Sequence, residues 1–263
     1  MLVSCVLVTL PVEERLSYLR RSVADYCRQT HAEKELVVVA DRGDVTVKDA
    51  IRAHVGSLER KDVRLIDLDE KLPLGALRNV GWTSARGEAV AQWDDDDYHH
   101  PQRIEEQLAT LVASRARAVY LEEVMQLFPR TRELYCINFR AAETKAHPGT
   151  LLALRSAMLP YPETGANAAR AEDTFLNLRL QETGEVRVLS GMPHLYVYVS
   201  HGKNAWPDEH HRMLASRLAV SRARLLRRES ALREGLRPFD FGSSPLTVKG
   251  YNGDAFTLVT TST

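Results

Sequence analysis

Apolar runs at residues 3–9, 35–40, 63–68 and 87–93 alternate with stretches at 13–29, 47–55 and 74–86 whose apolar residues recur at helical spacing. That alternation restricts the chain to few folds. Short continuous apolar runs suit strands buried on both faces, and a helix between each pair makes right-handed crossovers in a parallel, doubly wound sheet. In the first helix, Leu16, Leu19, Val23 and Tyr26 supply the inward stripe.

The rhythm changes after a further helix, expected from Pro101 to about residue 114. Segments 118–128 and 134–139 are extended and separated by Pro129 and Arg130, which suits antiparallel strands, so the sheet is expected to be mixed. A short helix is expected over 171–182, where Glu172 and Asp173 favour the helix dipole of the first turn. Strands follow at 186–189 and 195–199, then one long helix over 207–233. The tail 238–263 is rich in Gly, Ser and Thr and reads either as a hairpin or as a flexible end. A chain of 263 residues suits one substantial domain with a small C-terminal elaboration.

Lys plus Arg equals Asp plus Glu at 35 each, so no global field draws the chain to nucleic acid or anionic membrane. A local patch would have to do so. The expected helix from Pro207 carries Arg212, Arg217, Arg222, Arg224, Arg227, Arg228 and Arg233, with Leu214, Leu218, Leu225 and Leu232 on an apolar side. Such a helix lies on anionic lipid, contacts a polyanion, or packs on the core with its charges in water. Cys5, Cys27 and Cys136 are scattered without CxxC spacing and are expected to be reduced and structural. The first apolar run has no basic segment before it and does not read as a signal peptide, and no segment approaches a membrane span. The expected location is the cytoplasm, with membrane association through the Arg-rich helix as the alternative.

The run Gln92-Trp93-Asp94-Asp95-Asp96-Asp97-Tyr98-His99-His100-Pro101 falls where the fourth strand leaves its sheet. In open α/β sheets ligands bind there. Adjacent carboxylates raise one another's pKa unless a cation compensates, and hard oxygen ligands suit Mg²⁺ or Mn²⁺, ions that commonly accompany a phosphate. A solvated acidic loop, or a cap for the helix near Pro101, explains the same run. His99 and His100 invite zinc, but the oxygen-rich surroundings argue against it.

Taken in order, several segments resemble the family 2 glycosyltransferases, which have the nucleotide-sugar-binding fold called GT-A. Residues 3–9 with the helix ending near Gln29 and Thr30 are similar to that family's first strand and helix. Residues 35–41 are similar to its second strand and the acidic loop that reads the nucleotide base. Gly75-Ala76-Leu77-Arg78-Asn79-Val80-Gly81 and Ala85-Arg86-Gly87-Glu88 resemble the segment leading to the metal strand. The Asp run with Pro101 matches the DxD motif and its trailing proline, Glu172-Asp173 the acid pair containing the general base, and residues 201–206 a His-containing loop. Ala40 stands where the family often has an Asp, which leaves base reading to Asp41 and weakens any inference of uracil specificity.

The resemblance implies an α/β chain with a GT-A, Rossmann-like sheet, mixed but mainly parallel, flanked by helices and followed by a C-terminal helical extension. Its expected division is a glycosyltransferase domain at 1–205, with a nucleotide-sugar half at about 1–101 and an acceptor half at about 102–205, and the long basic helix and tail at 206–263. The implied activity is metal-dependent, inverting transfer of a hexose-type sugar from a nucleoside diphosphate sugar, UDP-sugar favoured, to a hydroxyl. The acceptor is a glycan, a lipid-linked glycan, a protein or a modified nucleic acid. Aligned on Pro101, Asp94 and Asp96 are the DxD carboxylates on Mn²⁺ or Mg²⁺, Asp96 the direct ligand, with Asp95 and Asp97 sharing the load and His201 touching the metal or the diphosphate. Arg78 adds positive charge at the diphosphate, and Thr9, Pro11 and Asp41 line the base and ribose pocket. Asp173 is the general base and Glu172 the second candidate. Trp206 stacks on a sugar or packs on the long helix. A non-catalytic nucleotide-sugar or glycan-binding module, and a metal-dependent phosphohydrolase or nucleotidyltransferase, are the rival readings.

Overall fold

The computed structural model describes residues 1–259. Its elements are β1 (Val3–Thr9), α1 (Glu13–Cys27), β2 (Lys34–Ala40), α2 (Val45–Ser57), β3 (Val63–Asp67), α3 (Leu74–Thr83), β4 (Ala89–Asp94), β5 (Tyr98–His99) and α4 (Arg103–Ser114). Then come β6 (Ala118–Leu121), β7 (Glu123–Phe128), β8 (Glu133–Asn138), β9 (Leu152–Leu154), α5 (Glu172–Glu182), β10 (Val186–Leu189) and β11 (Tyr196–Val199). The C-terminal part holds α6 (Asp208–Leu218), α7 (Arg222–Arg227), α8 (Glu229–Leu236), β12 (Leu246–Gly250) and β13 (Gly253–Leu258).

A seven-stranded sheet runs in the order β10-β6-β9-β4-β1-β2-β3. The pairs β1–β2, β2–β3, β1–β4 and β6–β10 are parallel, and β9 enters antiparallel between β4 and β6. The sheet is mixed and mainly parallel, as expected. All of β1 is buried, as its unbroken apolar run requires, and Leu16, Leu19, Val23 and Tyr26 of α1 pack on one face of it.

A second sheet of six strands, β13-β12-β8-β7-β11-β5, stands beside the first. The extended segment 118–128 is therefore not one strand. It divides at Glu122, with β6 in the first sheet and β7 in the second, paired antiparallel to β8 as the sequence suggests. Nothing in the alternation marks the division, because both halves are buried on both faces.

The long helix expected over 207–233 is also corrected: it is three helices. Val220 N–H donates to the Cys136 carbonyl (2.9 Å), and Tyr251 N–H donates to the Val220 carbonyl (3.2 Å), so the backbone at the first break belongs to the sheet. Ser221 then caps α7 by accepting from Arg224 N–H at 3.3 Å. The tail resolves to a hairpin: β12 joins β8 in parallel and β13 returns antiparallel, while 260–263 lie outside the described residues.

Several arginines of this region are tied to acids or backbone of the chain itself, while others, Arg217 and Arg227 among them, are exposed. Arg224 and Arg228 reach the buried Glu123 carboxylate, Arg212 pairs with Glu133, Arg222 donates to the Asp254 carbonyl and Arg233 pairs with Glu229. The thiols are free, with Cys5 and Cys136 buried. Among the described residues no helix is long and apolar enough to cross a membrane.

Candidate active site

The order of the first sheet reverses between β1 and β4, with β2 and β3 on one side and β9 and β6 on the other. Crevices for ligands open at such switch points, beyond the carboxyl ends of the strands. Thr9 ends β1, and Asp94 at the end of β4 is paired in register with Val8. The Asp run thus enters the crevice.

Its carboxylates separate into distinct environments. Asp95 is buried, accepts from Thr9 Oγ1 at 2.6 Å and from Arg15 Nε at 3.1 Å, and burial raises its pKa. Asp97 is buried too; it accepts from Val199 N–H (2.7 Å) and from the Tyr196 hydroxyl, tying the loop to β11, and burial with the neighbouring Asp96 and Asp94 charges pushes it well up. Asp94 and Asp96 keep 19% and 14% of their side-chain surface in solvent. They are the two that face the crevice.

The cationic partners demanded by four adjacent acids are guanidinium groups. Arg15 Nη2 lies 3.0 Å from Asp96 Oδ2, Arg78 Nη2 lies 2.9 Å from Asp94 Oδ1, and Arg21 donates to the Asp96 carbonyl. Burial would raise the Asp96 carboxyl, but the His201 hydrogen bond and the Arg15 charge outweigh it and hold it low. Sequence reasoning did not find Arg15 or Tyr196. Arg15 stands 80 positions from Asp95, and its only local signal is a place in the first turn after β1.

His201 Nε2 lies 3.0 Å from Asp96 Oδ2, and Lys203 N–H donates to its Nδ1 at 3.1 Å. That pattern assigns the proton of a neutral ring to Nε2, so the imidazole donates to Asp96. Among the described residues no three His, Cys, Asp or Glu side chains gather as a metal cage. The donors present, two partly exposed carboxylates, suit an ion such as Mg²⁺ that takes its other ligands from phosphate and water. Gly149 keeps the space beside them clear: a Cβ there would lie 3.0 Å from Asp94 Oδ2. His99 and His100 are buried, and His99 stacks on Trp93 at 3.9 Å with its Nε2 3.0 Å from the Asp94 carbonyl and its Nδ1 beside Arg103, so both its ring nitrogens are already engaged.

Behind Asp94, Arg78 also donates Nε to Glu172 Oε1 at 2.9 Å, and its Nη1 is buried without a partner. Glu172 is buried and commits its Oε1 to this pair. Its neighbour Asp173 is half-buried at the start of α5 and accepts from Thr174 N–H at 2.6 Å. Burial and the Glu172 charge raise the Asp173 carboxyl to about 7, partly offset by Arg78. A group of that kind takes up a proton near neutrality.

Asp173 opens onto a cavity of about 300 Å³ that also touches Tyr198, Trp206, His210 and Leu214. Trp206 stacks on His210 of α6 at 4.6 Å, so it both packs on that helix and borders the cavity. On the other side of the crevice Asp41 is buried and its Oδ1 accepts from Arg42 N–H (2.8 Å) and Leu72 N–H (3.2 Å). Pro11 is buried beside it, and its carbonyl accepts from Asp44 N–H at 3.2 Å, which joins the loops after β1 and β2.

Residues 7–127 match the family model for glycosyl transferase family 2. No curated protein matches the chain. Among solved structures, S. aureus TarS 1–349 in complex with UDP is similar at 15% identity and TM-score 0.59, covering 91% of this chain and 70% of that one. The same protein in complex with UDP-GlcNAc is similar at 14% identity and TM-score 0.58, with 91% and 71% covered. The mannosyltransferase PcManGT from Pyrobaculum calidifontis, in complex with GDP-Man and Mn²⁺, is similar at 17% identity and TM-score 0.57, with 89% and 62% covered. Residues 7–127, the stretch that bears the Asp run, thus match the model for glycosyl transferase family 2, and the likeness to these solved structures shows that the chain has the fold of nucleotide-sugar glycosyltransferases throughout.

Proposed function

We propose that the protein transfers a sugar from a nucleoside diphosphate sugar, UDP-sugar favoured, to an acceptor hydroxyl with inversion at the anomeric carbon. The observation that carries this reading is the Arg78 bridge, which sets a partly exposed Asp94 and the Glu172-Asp173 pair on one crevice. The structural neighbours crystallised with UDP, UDP-GlcNAc and GDP-Man with Mn²⁺ support the donor class and the metal.

Asp94 and Asp96 would hold Mn²⁺ or Mg²⁺ on the donor diphosphate, where the ion supplies charge stabilisation to the leaving group. Arg78, held beside Asp94, adds to that field, and Asp95 keeps Thr9 and Arg15 in place below it. His201 orients the Asp96 carboxylate and stands within reach of the ion or the diphosphate. Thr9, Pro11 and Asp41 form the base and ribose pocket. Asp173 accepts the acceptor's hydroxyl proton as the oxygen attacks the anomeric carbon, the bond from that carbon to the diphosphate breaks, and the nucleoside diphosphate leaves. Glu172, occupied by Arg78, raises the basicity of Asp173 and is the weaker candidate for the base. Residues 1–101 are the donor half and 102–205 the acceptor half. Residues 206–259 add α6, α7, α8, β12 and β13 to the second sheet, and Arg212, Arg224, Arg228 and Arg233 are paired with Glu133, Glu123 and Glu229, which favours a packing role for this region.

The test is product analysis with a panel of nucleotide sugars and Mn²⁺. Release of nucleoside diphosphate, abolished by EDTA, supports the reading. Release of inorganic phosphate or pyrophosphate instead places the chemistry in the phosphohydrolase or nucleotidyltransferase class. Nucleotide binding with no turnover across acceptors leaves the non-catalytic module.

A further inference from the structure

We propose that the cavity beside Asp173 takes an uncharged acceptor that carries an apolar group next to its reacting hydroxyl, an aryl glycoside being the simplest form. The inference rests on the reading of Asp173 as the base and names the class of substrate that base would serve.

The cavity, of about 300 Å³, holds one sugar ring with a small substituent. Val124, Phe139, Leu214 and Leu218 make an apolar wall from β7, the turn after β8 and α6. No lining residue is Lys or Arg, and the charged groups that do line it are the acids Glu143 and Asp173. Burial disfavours the charged form of the imidazoles in the lining: it pushes His147 down to about 3, His211 to about 4 and His210 below its ordinary value. Arg170 sits over the Trp206 ring at 5.1 Å without lining the cavity. The cations instead stand on the donor side, where Arg15 and Arg78 meet the Asp run. A phosphorylated acceptor would therefore enter beside Asp173 with no lysine or arginine in the lining to pair with it and with Glu143 at the rim, whereas an apolar group gains by leaving water. The deep wall and the charge distribution select the same ligand.

Saturation-transfer NMR on the full chain tests this with phenyl and 4-nitrophenyl β-D-glucopyranoside, glucose and glucose 6-phosphate as probes. The aryl glucosides are expected to receive saturation strongest on the aromatic protons, glucose several-fold less and glucose 6-phosphate none. Trp206→Ala and Leu214→Arg, each checked for cooperative melting, are expected to cut the aryl signal at least fivefold, and Leu214→Arg to admit glucose 6-phosphate. Equal saturation of the phosphorylated probe in the unaltered protein, no saturation of either aryl glucoside, or an aryl signal indifferent to both substitutions overturns the proposal. The transferase reading is scored separately by nucleoside diphosphate release without acceptor, so binding of aryl glucosides to a protein that consumes no nucleotide sugar would retain the cavity assignment and remove the activity.

Discussion

Arg78 joins Asp94 to Glu172: its Nη2 and Nε lie 2.9 Å from one oxygen of each carboxylate, and the guanidinium itself is buried. The donor side and the acid pair are thereby held in one hydrogen-bonded unit. Removing the middle member leaves a buried carboxylate unpaired, which costs about 3–5 kcal/mol. Arg78→Ala is expected to lower Tm by about 10 °C, at roughly 2–4 °C per kcal/mol for a chain of this size. Arg78→Lys should recover part of the Tm but little of kcat, because one ammonium cannot reproduce the two-pronged geometry. Thermal melts and steady-state kinetics on the pair of variants check both statements.

Asp173 gives a pH signature with a definite sign. In the folded chain its carboxyl loses its proton near pH 7, and in the unfolded chain near pH 4, so between these values the folded state binds more protons and stability falls as pH rises. Asp173→Asn removes that penalty: the variant is expected to melt a few degrees higher than the unaltered protein at pH 8 and at the same temperature at pH 4. Its kcat should drop by about 10²–10⁴, and the unaltered protein should show an acid limb in kcat/KM near pH 7. A variant with near-normal turnover and an intact melt contradicts the base assignment.

The Asp run separates by variant. Asp97→Ala strands the Val199 N–H and the Tyr196 hydroxyl, and is expected to cost about 2–4 kcal/mol, read by chemical denaturation. Asp96→Ala leaves Arg15 paired with Asp95 but removes a carboxylate that His201 and Arg15 hold low, so it should cost less stability at neutral pH than Asp97→Ala while losing the response to Mn²⁺ in calorimetric titration with nucleotide. The reverse pattern would move the metal to Asp97.

Much of this arrangement was legible before the structure. The parallel half of the first sheet follows from strand-length apolar runs between amphipathic helices, and the placement of Asp94 follows from where β4 must end. The break at Val220 was hidden, because its cause is a hydrogen bond to Cys136, more than eighty residues away, and local propensity around it stays helical. Ser221, an N-cap residue after a β-branched one, was the available signal. Arg15 was invisible for the same reason: a guanidinium that neutralises Asp95 across the crevice leaves no trace in local spacing.

Asp41 tests the nucleotide pocket. Its Oδ1 is committed to the Arg42 and Leu72 amides, so the carboxylate both shapes the loop and stands ready for a base or ribose. Asp41→Asn retains an acceptor for those amides and is expected to raise the donor KM about tenfold with kcat nearly unchanged, the pattern of lost uniform binding. An unaltered KM would remove Asp41 from the pocket.

The central claim is that this crevice binds a nucleoside diphosphate through a metal at Asp94 and Asp96. A thermal-shift panel of UDP, GDP, CMP and dTDP, each with and without Mn²⁺ or Mg²⁺, measures it directly, because a ligand held only by the folded state raises Tm by linkage. The expected result is a rise with one diphosphonucleotide, UDP first, that requires the metal and disappears in Asp96→Ala. A panel in which no nucleotide shifts the melt, or in which the shift is indifferent to metal and to Asp96, contradicts it.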